Sequence, residues 1–130
     1  MEDHLKHGAF SWNELTASDP NAAIEFYKKL FGWEIEVTHN TSPVDGRTME
    51  YNIAKVGENM VAGIMAAPPG APVAWTSYVT VDNVDETVKL AESLGAKVCL
   101  PPMDIPRVGR FSILADPQGA LIAVITYLKK

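Results

Sequence analysis

The order strand, helix, strand, strand, strand is written twice along this chain of 130 residues, and no other feature narrows the possible folds as far. In Phe10–Ala17 the residues alternate, Leu15 and Ala17 to one side and Trp12, Glu14 and Thr16 to the other, as in a strand between two layers. Ser18-Asp19-Pro20 then supplies a capping side chain ahead of a proline suited to a first helical turn. Ala22, Ala23, Phe26, Tyr27 and Leu30 recur at helical spacing, so a helix of about three turns is expected, ending at Gly32. Phe26, Tyr27, Leu30, Phe31 and Trp33 are read as core residues. Residues 33–38, 49–56 and 60–65 read as strands, separated by turn formers over 40–46 and by Gly57-Glu58-Asn59.

Three prolines and a glycine within residues 66–72 interrupt regular structure, and the order then begins again. Residues 73–81 read as a strand. Asp82-Asn83 caps an amphipathic helix over 84–94, which Gly95 stops. Residues 97–100 form a strand, 101–109 a proline-containing loop, 110–115 a strand, Asp116-Pro117-Gln118-Gly119 a turn, and 120–127 the last strand. The expected organisation is one domain of class α+β: a first module over 8–66, a linker over 67–72 and a second module over 73–128. Two copies of a unit of about 60 residues are too few for a solenoid, and a closed pair forming a half-barrel cup is the better picture.

Composition excludes several partners. A net charge of -5 without a basic stripe argues against nucleic acid, and no apolar run approaches the roughly 20 residues that cross a bilayer. The N-terminal residues lack the apolar core of a signal peptide, so a cytoplasmic protein is expected. Cys99 is the only cysteine, which rules out an intrachain disulfide and a thiolate-rich metal site.

Asp19 followed by Ala23-Ile24-Glu25-Phe26-Tyr27-Lys28-Lys29-Leu30-Phe31-Gly32-Trp33, the stretch Val81-Asp82-Asn83-Val84-Asp85 with Leu94-Gly95-Ala96, and the turn Asp116-Pro117-Gln118-Gly119 together resemble the vicinal oxygen chelate superfamily of glyoxalases, bleomycin-resistance proteins and extradiol dioxygenases. The resemblance covers nearly the whole chain and implies the glyoxalase/bleomycin-resistance-like fold and a homodimer. It also implies four metal-ligand positions, two in each module. Counting from Asp19, the first falls on Trp12. The second falls on Ala62 or Gly63, the third on Thr76 and the fourth on Ala123. None of these side chains is a good metal ligand. No cofactor is therefore expected, unless a displaced ion is held by Glu14 with Glu50, His39 or Asp104; His4 and His7 lie in the N-terminal tail.

By alternation the cup receives Trp12, Glu14 and Thr16 from the first strand, Thr76, Tyr78 and Thr80 from the fifth, and Leu121, Ala123 and Ile125 from the last. Trp12 offers a stacking surface for a planar ligand, and Thr76 and Tyr78 offer hydrogen bonds. Glu14 on an inward face loses hydration unless it finds a donor or a proton, which suits either a general base partnered by Tyr78 or a structural hydrogen bond. Arg110, beside Gly109 and near Arg107, is a candidate for an anionic group of a ligand. The leading expectation is a small-molecule-binding protein without the usual metal. The alternatives are a superfamily enzyme, glyoxalase-like if active, working through Glu14 or a displaced metal, and a partner-binding domain whose cup is filled by its own side chains.

Overall fold

The computed structural model describes residues 5–41 and 46–128, so His4 and most of the turn-rich stretch 40–46 lie outside the described residues. The elements run β1 (Phe10–Ala17), α1 (Pro20–Phe31), β2 (Glu34–Thr41), β3 (Thr48–Val56), β4 (Asn59–Ala66), β5 (Ala74–Thr80), α2 (Val84–Ser93), β6 (Lys97–Ile105), β7 (Gly109–Ala115) and β8 (Leu121–Tyr127). The βαβββ order occurs twice, and the class is α+β.

One compact unit comprises Trp12–Asn40 and Arg47–Trp75. Its strands lie in the order β2-β3-β4-β1, with β4 antiparallel to β3 and parallel to β1. Asp19 caps α1 by accepting a bond from the Ala22 N–H at 3.2 Å, and Gly32 ends it at φ 74°, a left-handed geometry that only glycine adopts at little cost. Beneath the helix, Leu15, Ala17 and Ile64 form the core, with Ala23, Ile24, Tyr27 and Ile35 packed on it. The segment after β4 is tied back to β1: the Ala67 N–H donates to the Ala17 carbonyl, and the Thr16 hydroxyl donates to the Pro72 and Ala74 carbonyls at 2.7 and 3.2 Å.

The aromatic run of α1 departs from its expected place. No residue of α1 is buried, and Phe26, Leu30 and Phe31 stay 58%, 56% and 57% exposed. The small side of the helix, Ala23 with Ile24 and Tyr27, already covers the sheet, so the larger rings associate with one another. Tyr27 stacks on Phe31 and Trp33 and meets Trp75 edge-on, with ring centroids 5.5 to 5.9 Å apart, and the Trp75 indole donates to the Tyr27 hydroxyl.

Of the described residues, the other unit holds 5–11, 41, 46 and 76–128. Its strands lie in the order β5-β8-β7-β6. Val81, Val84, Val88, Leu114 and Val124 make the core under α2, joined by Val79, Ala91, Val98 and Ile122. Asn83 caps α2 through the Glu86 N–H at 3.0 Å, and Asp85 and Glu86 place negative charge in its first turn, where the helix dipole favours it. Asp116 closes its turn by accepting from the Gln118 and Ala120 N–H groups.

The loop expected over 101–109 is instead strand as far as Ile105. β6 stands last in its strand order, and an edge strand tolerates Pro101 and Pro102 because one row of its backbone groups lies outside the ladder. The pairing with β7 shifts register on either side of Leu100, which accommodates the prolines. The turn that remains is short, with Arg107 at φ 70° and the Val108 N–H bonded to the Ile105 carbonyl.

Candidate functional site

Strand alternation builds the site. Leu15 and Ala17 of β1 lie in the core under α1, which leaves Trp12, Glu14 and Thr16 on the opposite, open face. On β3, Asn52 is buried opposite Ile64, so its neighbour Tyr51 stands on the open face as well. Between these strands runs β4, where Gly63 is in register with Glu14 on one side and Ile53 on the other.

Tyr51 spans the three strands. Its hydroxyl accepts a hydrogen bond from the Trp12 indole N–H at 2.8 Å and donates one to Glu14 Oε2, also at 2.8 Å. A carboxylate on a half-buried face thereby gains a phenol donor, in a charge-assisted bond stronger than a neutral one. The ring lies directly over Gly63, where a Cβ would overlap the phenol. Thr16, expected on the same face, is half-buried and spends its hydroxyl on the 72–74 segment.

Tyr51 was missed by a reading confined to the first, fifth and last strands. Two signals in the sequence mark it. Period-two alternation over 49–56 sets it against Asn52 and Ala54, and a glycine inside a strand commonly marks the close approach of another group.

In the other unit Tyr78 is buried, with its ring 6.3 Å from that of Phe111, and it stands in register with Ala123. Thr80 is buried and its backbone pairs with Gly8 and Ala9. Ala123 is fully buried, Ile125 nearly so, Thr76 half-buried and Leu121 39% exposed. Arg110 lies against the first turn of α2. Its guanidinium grips both oxygens of Asp85 at 2.9 and 3.1 Å and one oxygen of Asp104 at 3.0 Å. This hydrogen bonding holds the Asp85 carboxyl below its ordinary range and the Arg110 guanidinium above its own. Burial pushes the Tyr127 phenol up, against the opposing effect of its 2.8 Å hydrogen bond to Ser11.

The positions at which the family resemblance places metal ligands do not fit a divalent ion. Trp12 offers only an N–H, and that N–H is committed to Tyr51. The space over Gly63 is filled by a phenol, Thr76 has a neutral hydroxyl, and Ala123 has no donor. A displaced set fares no better. His39 and Glu50 are exposed, Asp104 is paired with Arg110, and among the described residues no three His, Cys, Asp or Glu side chains gather in a way that could hold an ion.

Residues 4–124 match the model of the Glyoxalase/Bleomycin resistance protein/Dioxygenase superfamily. A Mycobacterium tuberculosis protein named as a glyoxylase, CFP32, is 39% identical over 119 residues, which are 91% of this chain and 44% of the relative. The anthracycline biosynthesis protein DnrV of Streptomyces peucetius is 32% identical over 131 residues, 90% of this chain and 46% of the relative. The chain thus spans less than half the length of these two relatives. Among solved structures, methylmalonyl-CoA epimerase from Mycobacterium tuberculosis superposes with a TM-score of 0.65 over 99% of this chain and 93% of its own, at 15% identity, a likeness of fold. Doubled βαβββ order, matched family model and curated relatives agree: the chain belongs to the glyoxalase/bleomycin resistance protein/dioxygenase superfamily.

Proposed function

We propose that this domain is a small-molecule-binding protein that works without the superfamily's usual metal, and that its ligand lies against Trp12, Tyr51 and Glu14. The observation that carries this reading is the hydrogen-bonded chain of indole, phenol and carboxylate on the open face of β1, β4 and β3. Such a face combines a flat apolar surface with a polar terminus, the composition by which small-molecule sites fix orientation. The kinship with a protein of anthracycline biosynthesis agrees with a planar aromatic ligand stacked beside Trp12. On this reading the functional division is a module over 8–66, a linker over 67–72 and a module over 73–128. On the same reading the chain acts in the cytoplasm and pairs as a homodimer, as open strand edges allow.

A panel of planar aromatic compounds, followed by tryptophan fluorescence and melting temperature, tests the proposal. Saturable quenching that disappears in Trp12→Phe supports it, and stoichiometric zinc, nickel, iron or manganese in protein purified without chelator overturns it. A second reading, acid–base catalysis by Glu14, draws on the 2.8 Å bond from Tyr51. Turnover of a bound compound that Glu14→Gln abolishes while binding persists would favour it.

A further inference from the structure

We propose that Tyr51 is the positioning residue of this face, holding Glu14 in one orientation by occupying the space over Gly63 that a side chain would need in order to reach a metal. The role rests on reading this face as the ligand site. Trp12 and Glu14 belong to β1 and Tyr51 to β3, with β4 between them. Neighbouring strands lie about 4.8 Å apart, so a group on β3 must reach roughly 10 Å across β4 to bond a carboxylate on β1. A tyrosine is long enough to do so when it lies flat, and a flat ring needs a strand residue without a Cβ beneath it. Gly63 meets that need: a Cβ built there falls inside the phenol, touching the hydroxyl and the adjoining ring carbons. The direction of the phenolic proton is fixed as well. Because the Tyr51 oxygen accepts from the Trp12 N–H, its own proton points to Glu14 Oε2. The carboxylate is held as an acceptor in a hydrogen-bonded chain, beside Trp12 and Gly63, two positions at which the family resemblance puts ligands to an ion.

The test needs no ligand, so its failure is distinct from failure of the binding proposal. In nitrogen-15 spectra of the full chain, the Trp12 indole N–H resonance, identified by its loss in Trp12→Phe, reports the bond to Tyr51. Tyr51→Phe is expected to move that resonance while those of Trp33 and Trp75 stay in place. Gly63→Ala is expected to move it too, although residue 51 is unchanged, because the new methyl lifts the ring. Tyr51→Ala is expected to relieve Gly63→Ala, so that the double variant is more stable than the sum of the single losses allows. An unmoved Trp12 resonance in Tyr51→Phe, or additive losses in the double variant, overturns the proposal. Tyr51→Phe keeps the test decisive where Gly63→Ala does not fold.

Discussion

Replacing Gly109 by alanine tests whether the second unit tolerates any loosening of its central strand pair. Gly109 opens β7, is buried, and pairs with Tyr127 of β8 and with Ile105 of β6. A Cβ at this position would overlap the Thr126 carbonyl oxygen and lie 2.9 Å from the Tyr127 Cα and 3.0 Å from the Thr126 carbonyl carbon. Every one of these neighbours is backbone, so no rotamer change removes the clash. The strands must part by something on the order of 1 Å, with a strain of about 1–3 kcal/mol typical of overpacking. Loss of one or two ladder hydrogen bonds adds about 0.5–1.5 kcal/mol each. The expected destabilisation is about 2–4 kcal/mol, a fall in melting temperature of about 10 °C for a domain of this size. Urea unfolding of Gly109→Ala beside Gly119→Ala provides the assay. Gly119 has nothing within 4 Å of its built Cβ but sits at φ 94°, so its substitution carries only backbone strain, about 1–2 kcal/mol. If Gly109→Ala proves no more destabilising than Gly119→Ala, the steric argument is wrong.

Four further outcomes are expected. Ile64→Ala, which empties a site with no solvent exposure under α1, should cost about 2–5 kcal/mol by denaturant unfolding. Asp85 has its carboxyl lowered by Arg110, so its pairing contributes stability above the ordinary carboxylate range of about 4 and loses it as pH falls through the lowered value. The stability gap between wild type and Asp85→Asn should accordingly be open at neutral pH and close on acidification. The Tyr127 phenol should ionise above its ordinary value near 10 in an ultraviolet titration, and Ser11→Ala should move it higher by removing the hydrogen bond that opposes burial. Phe26→Ser should change stability by no more than about 0.5 kcal/mol, because the ring is more than half exposed, while reducing aggregation in light scattering.

The elements were largely legible because they follow from period and punctuation. Phe10–Ala17 alternates, Asp19 and Gly32 bracket a helix of the expected length, and Asp116 to Gly119 turns where proline, aspartate and glycine together favour it. Two readings failed for identifiable reasons. Pro101 and Pro102 read as a loop because local propensity carries no information about whether a strand lies at an edge. Phe26 and Phe31 read as core because helical spacing shows which residues share a face, and not how much of that face the sheet can cover. At the candidate site, alternation alone places Trp12 and Glu14 on one face of β1. Tyr51 depended on knowing that β3 and β1 flank β4, and strand order is not written in local sequence.

The fit of Tyr51 over Gly63 also constrains how this lineage can change. A side chain enters at residue 63 only by displacing the tyrosine, since the first atom it adds collides with the ring. Losing the tyrosine first removes the hydrogen bonds it makes to Trp12 and Glu14. Residues 51 and 63 are therefore coupled, and a change at either is expected to be tolerated best when the other changes with it.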